Sequence, residues 1–254
     1  MSKAIDLALD VLESLGRRGA PTRLTELADE LGQPKATVYR VLAALLRRGY
    51  VGQLPDERYR LDVRCLELGA LASEGLDLRD VARPDLEALN QLTSENVHLA
   101  LYAAGDVVYV DVVESSLPVA PKSRVGTRAP ATAVATGRAL LAFQSPGEID
   151  RVLAQPLEAH TPTSVTEPGA MREMLAQIQQ EGVATNQSSW RDGVCGVAAP
   201  IRDHSSVVVA SVGCCVPEVR FSAHRRKELA KAVTATADQI SRRIGYQASR
   251  GGRG

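Results

Sequence analysis

Along the first third of the chain, apolar residues recur every three or four positions, the spacing of helices with one buried face. Ala8, Val11, Leu12 and Leu15 predict a first helix over 4–15, stopped by Gly16 and by Gly19-Ala20-Pro21. Leu24, Leu27, Ala28 and Leu31 predict a second over 23–31, and Gly32 allows a tight turn after it. Val38, Val41, Leu42 and Leu45 predict a third over 33–48, with Gln33 placed to cap its first turn and Pro34 where no N–H is needed. Two short strands around Leu54-Pro55-Asp56-Glu57 then read as a hairpin, and 63–74 as a helix with Leu68, Leu71 and Ala72 as its seam. Gly75 and Asp77 mark a boundary. A helix over 78–94 follows, restarted at Pro84.

From Asn96 the period changes to two. Strands are predicted over 97–102 and 107–114 around a turn at Gly105-Asp106, with a less regular third near 119–124. A helix rich in small residues spans 130–143, and further helices span 146–153 and 167–180. Strands follow over 183–187, 194–201 and 207–216, a loop over 188–193 holds the only tryptophan, Trp190, and a helix over 224–246 closes the pattern. This is an α+β arrangement with five or six mostly antiparallel strands.

Helix, glycine turn, then a helix opening with short polar and basic side chains is a helix-turn-helix pattern, whose second helix has the width to enter a DNA major groove. The first turn of such a helix reaches base edges, which points to Lys35, Ala36, Thr37, Tyr39 and Arg40. Arg40 suits a bidentate contact to guanine, though alone it also reads as an ordinary exposed helix charge. Ala36 and Thr37 suit a thymine methyl, Tyr39 stacking or phosphate, and Lys35 phosphate. The hairpin is then a wing. Arg58 and Arg60 share a strand face, from which they touch DNA or merely solvate an edge strand.

Charge changes the picture once it is followed along the chain. Overall it cancels, 30 Lys+Arg against 30 Asp+Glu, which by itself speaks against a nucleic-acid binder. Residues 32–64, however, carry 7 basic against 3 acidic side chains, 71–219 carry 10 against 18, and 220–254 carry 9 against 2. A basic DNA-facing module on an acidic body suits docking in one orientation. The tail from Arg242 onward also reads as a solvated, frayed end.

No apolar leader segment opens the chain, and the longest apolar run, 207–216, is too short to span a membrane. Cys65, Cys195, Cys214 and Cys215 lack metal-ligand spacing, and the neighbours Cys214 and Cys215 point to opposite strand faces. His98, His160, His204 and His224 are scattered and no nucleophile motif accompanies them. These patterns predict a cytoplasmic protein without catalytic residues, metal or cofactor. The best concavity is at 125–137, where Ala133, Ala135 and Gly137 open a predicted helix start whose N–H groups favour a carboxylate.

Together and in order, ALDVLESL at 8–15, LTELADELGQPKATVYRVLAALLRRGYV at 24–51, RYRLDVRCLELG at 58–69, VGTRAP and ATGRALLAF within 125–143 and GVCGVAAPIRD at 193–203 resemble the IclR family of bacterial transcription regulators over nearly the whole chain. The resemblance implies a winged helix-turn-helix over 1–64, a linker helix over 65–76, a GAF-like effector-binding domain over 77–248 and a disordered tail over 249–254. It implies dimers, commonly paired into tetramers, that meet through the first and linker helices. It also implies a palindromic double-stranded DNA operator, a small organic or aromatic acid as effector, and control of a catabolic operon, more often as a repressor. By family position Ala129, Ala135 and Thr136 line the effector pocket from one side, and Trp190, Pro200, Gly213 and Cys215 from the other. Alternation along the last strand agrees, since Ser211, Gly213 and Cys215 share a face.

The chain departs from the family where an acid is common, at Ser188, Ser189 and Trp190, and where hydroxyls are common, at Gly213 and Cys215. The expectation is a roomier, less polar pocket for an effector bulkier and more aromatic than a short keto acid, unless Trp190 simply closes the pocket as core. Effector binding is expected to alter domain packing through the linker helix and so the spacing of two reading helices. The competing reading is an enzyme that transforms a small acid on the GAF-like domain, with the winged domain serving assembly. It lacks paired acids, metal ligands or a nucleophile. A pure dimerising scaffold is disfavoured by the basic face at 35–48.

Overall fold

The computed structural model describes residues 3–74 and 77–247. The tail 249–254, the boundary at Gly75 and the side chains of Leu71 and Ala72 lie outside the described residues. The chain divides into two compact units, Met1–Leu76 and Asp77–Gly254.

The first unit is built from α1 (Lys3–Arg18), α2 (Leu24–Glu30), α3 (Lys35–Arg47), β1 (Val51–Gln53), β2 (Tyr59–Leu61) and α4 (Val63–Glu74). Leu7, Val11 and Leu15 of α1 pack on Leu27 and Ala28 of α2 and on Val38, Leu42 and Leu45 of α3, with Val51 and Tyr59 of the hairpin closing the core. The buried stripe of α1 is turned slightly from the expected one, so that Leu7 is inside and Ala8 at the margin. The helix also continues through Gly16 to Arg18, because one glycine costs a helix only about 1 kcal/mol. Gln33 does not cap α3. Pro34 is the cap, and its carbonyl accepts the Thr37 and Val38 N–H groups, while the Gln33 N–H is given to Ala28 O. The hairpin is antiparallel, and Thr22 pairs in both directions with Tyr59 at 2.9 and 2.8 Å, which ties the wing to the segment entering α2.

The second unit holds α5 (Leu78–Thr93), β3 (Asn96–Ala103), β4 (Asp106–Val113), β5 (Arg128–Pro130), α6 (Ala135–Leu141), α7 (Pro146–Leu153), α8 (Pro168–Glu181), β6 (Ala184–Gln187), β7 (Val194–Arg202), β8 (Val208–Pro217) and α9 (Ala223–Arg243). The six strands form one antiparallel sheet in the order β5-β4-β3-β8-β7-β6. α5 and α9 cover one face through Leu86, Leu89, Leu229, Val233 and Ile240. α6, α7 and α8 cover the other through Leu140, Leu141, Ile149, Met171 and Leu175.

Three expectations fail here for local reasons. α5 is not restarted at Pro84. The proline sits on its exposed face, so the carbonyl it leaves unpaired points to water. No strand forms over 119–124, because that segment is held by side chains instead of a ladder. Asn96 accepts the Ser115 N–H at 2.6 Å and donates to Pro121 O, and Arg220 donates to Val119 O at 3.0 Å. The strand that exists, β5, pairs with β4 and takes up Pro130, so α6 starts at Ala135 and not at 130.

Candidate functional site

On α3, Lys35, Ala36, Tyr39 and Arg40 are exposed on the face opposite Val38, Leu42 and Leu45, and Thr37 stands half-buried at its edge. Lys35, Arg40, Arg47 and Arg48 make no ion pair among the described residues, so their charge is available to an external anion. The two wing arginines differ. Arg58 is bound to Asp56 of its own turn at 2.5 Å, and the pair holds the Asp56 carboxyl below its usual range through that hydrogen bond. Arg60 is exposed and makes no such pair among the described residues. The helix therefore presents a cationic face, while half the expected wing charge is already neutralised.

In the second unit a cavity of about 60 Å³ lies between α6, the β3–β8–β7 face and the segment over 114–127. Of the expected lining, the structure brings Ala129, Ala135, Thr136, Trp190 and Cys215 to it. Pro200 is not there. β7 reaches the cavity through Val194, Cys195 and Gly196, and Pro200 lies four residues beyond Gly196, about 13 Å at strand rise. Gly213 is not there either, because α6 sits on it: a Cβ at 213 would lie 3.0 Å from the Thr136 methyl and 2.7 Å from Val197 O. Gly196 works the same way. Its missing side chain lets Asn186 Oδ1 reach the Ala135 N–H at 3.3 Å, so the start of α6 is already partly satisfied from within the protein.

The cavity is small where a roomier one was expected, and a few polar side chains stand in a mostly apolar lining. His98, Tyr109, Lys122 and Arg191 also line it. His98 is 3% exposed, and its ring stands 4.5 Å from that of Tyr109. Burial pushes the imidazole down to about 4 and the phenol up to about 12, so both are neutral near pH 7. Burial likewise pushes the Cys215 thiol up to about 12, which leaves it unreactive. Cys214 belongs to the core on the opposite face, as alternation predicted. Trp190 meets His160 edge to face at 4.5 Å, so one side of the indole is fixed by the protein and it is both wall and core.

The residues that sequence reading missed include polar ones, His98, Lys122 and Arg191, beside apolar ones such as Val134 and Val194. His98 was signalled by its place as a single polar side chain in the apolar run Val97–Leu101. Lys122 and Arg191 lie in irregular segments, where no periodicity marks them.

Known proteins resemble this chain over both units. The family model described as the IclR helix-turn-helix domain matches residues 4–55, and that of the bacterial transcriptional regulator IclR C-terminal domain matches 70–242. The HTH-type transcriptional regulator KdgR of Escherichia coli (strain K12) is 30% identical over 93% of this chain and 90% of its own. A crystal structure of an ICLR transcriptional regulator from Silicibacter sp. TM1040 superposes with a TM-score of 0.88 at 27% identity, covering 97% of this chain and 98% of that one. An IclR homolog from Microbacterium hydrocarbonoxydans, solved in complex with 4-hydroxybenzoate, does so with a TM-score of 0.60 at 26% identity, covering 94% and 99%.

Proposed function

The chain belongs to the IclR family of bacterial transcriptional regulators, and from that membership we propose a cytoplasmic, homo-oligomeric repressor that binds a palindromic operator and is released from it by a small carboxylic acid. It is a DNA-binding, effector-responsive regulator, and the enzyme alternative is dropped because its relatives are regulators. One observation carries the assignment of roles. The exposed face of α3 offers Lys35 and Arg40 without internal ion pairs, beside Tyr39. Arg40 reads a base, Lys35, Arg60 and Tyr39 hold phosphates, and Ala36 and Thr37 meet thymine methyls.

A relative carries an aromatic acid, 4-hydroxybenzoate. For this chain a shorter acid is favoured, because the cavity measures about 60 Å³. Acid binding is coupled to operator binding as a free energy between two sites, with dimers pairing two reading helices across the operator. The test is fluorescence anisotropy of the purified protein with DNA from upstream of its own gene. The expected result is a saturable complex, steeply weakened by salt and reversed by millimolar short-chain acids. Binding equal to that of scrambled DNA of the same length refutes the reading.

A further inference from the structure

Two buried polar atoms in the second unit have no hydrogen-bond partner among the described residues and belong to side chains that line the same cavity. They are His98 Nε2 and Thr136 Oγ1, on residues 3% and 4% exposed, with the Tyr109 phenol standing beside both side chains. Buried polar groups are nearly always paired, so two orphans at one cavity mark a place for a polar atom from outside. The Thr136 methyl is turned onto Gly213, which fixes how the side chain sits at the floor. The imidazole is neutral there, as is the phenol of Tyr109 next to it. The floor side chains themselves offer a carboxylate no positive charge.

The charges are at the rim. Lys122 and Arg191 line the cavity, are exposed, and make no ion pair among the described residues. No aspartate or glutamate is among the lining residues. The site is thus neutral and hydrogen-bonding within, cationic at the mouth.

We infer that the cavity binds a short carboxylic acid bearing a hydroxyl or carbonyl oxygen at the end away from the carboxylate, with that oxygen on His98 Nε2 and Thr136 Oγ1 and the carboxylate between Lys122 and Arg191. The size follows from the volume. At about 10–15 Å³ per water-sized centre, about 60 Å³ admits some four to six heavy atoms. A three-carbon ω-hydroxy acid fills it. An acid lacking the far oxygen leaves both orphans unpaired and is rejected, as in any site built to hydrogen-bond a hydroxyl. This assignment rests on the second unit being the effector-binding part of the regulator.

Calorimetric titration of the full chain with 3-hydroxypropionate, propionate and lactate tests it. The expected result is 3-hydroxypropionate binding roughly 10- to 100-fold tighter than the other two. Thr136→Val and His98→Phe each reduce that preference, and Lys122→Ala with Arg191→Ala weakens all three acids together. Thermal unfolding of each variant guards against loss of fold, and the near-isosteric Thr136→Val keeps the test alive if His98→Phe unfolds. Equal affinity for 3-hydroxypropionate and propionate overturns the proposed polarity, and so does failure of all three to bind. Anisotropy on the upstream DNA separates the two levels. Acids that bind with the expected preference but leave the DNA complex intact refute the effector role and spare the polarity. Acids that release DNA without preference do the reverse.

Discussion

Arg220→Met should both destabilise the second unit and loosen the wall of its cavity. Arg220 reaches Glu95, 1% exposed, through two bonds at 2.8 and 2.7 Å, and with its remaining nitrogen donates to Val119 O at 3.0 Å. It thus joins the start of β3 to the segment that carries Lys122. Removing one partner of a buried ion pair costs about 3–5 kcal/mol, because the other charge is left uncompensated. Water already reaches the Arg220 side chain, which is 29% exposed against 2% for Glu95, so the lower end, about 3 kcal/mol, applies. The double variant Glu95→Met/Arg220→Met removes both charges and should recover about 2 kcal/mol of that.

Acid binding should not recover with it. The bond to Val119 O is missing in both variants, and losing one hydrogen bond from a charged donor is worth about tenfold in affinity. Urea unfolding followed by circular dichroism gives the first quantity and titration with 3-hydroxypropionate the second. An Arg220→Met protein as stable as the parent refutes the reasoning about Glu95. A double variant that binds acid as the parent does refutes the reasoning about the segment.

Arg40→Ala should cost about 1–3 kcal/mol at one operator position and little elsewhere, measured by anisotropy on single-base operator variants, and a uniform loss across sequences would make Arg40 a phosphate contact instead. Gly137→Ala should destabilise the second unit by about 3 kcal/mol or more in thermal unfolding, because its Cβ would lie 2.4 Å from Ala131 Cα and 2.5 Å from Ala131 O, both backbone atoms; a change under about 1 kcal/mol would refute this. Burial depresses His98 from 6.5 to about 4, so the unfolded chain takes up a proton that the folded one refuses. Stability is therefore full above pH 6.5 and falls by about 3 kcal/mol as the pH drops to about 4. His98→Phe should flatten that slope in urea unfolding at stepped pH, and an unchanged slope would show that another group carries it.

What the sequence made legible was whatever repeats. The stripe Val38, Leu42, Leu45 of α3, the bounds of α4 and α7, and the alternation that separates Cys214 from Gly213 and Cys215 all follow from a period of 3.6 or 2. The segment over 114–127 has no period, because its backbone is held by the side chains of Asn96 and Arg220, so it was misread as a strand. The cavity was half legible for a related reason. His98 faces it because β3 pairs with β8, more than a hundred residues on, with His98 directly opposite Gly213, and alternation gives a residue's face but not its neighbour. Glycine and a thiol in place of hydroxyls read as added room, yet at Gly196 and Gly213 the room is taken by Asn186, Ala135 and Thr136, which come close because no side chain prevents it. Cavity volume here is set by how closely α6 rides on the sheet. Widening the site for a bulkier acid therefore calls for changes in 131–137 that lift α6, whereas a larger residue at 213 would strike the backbone at Val197 before it met any ligand.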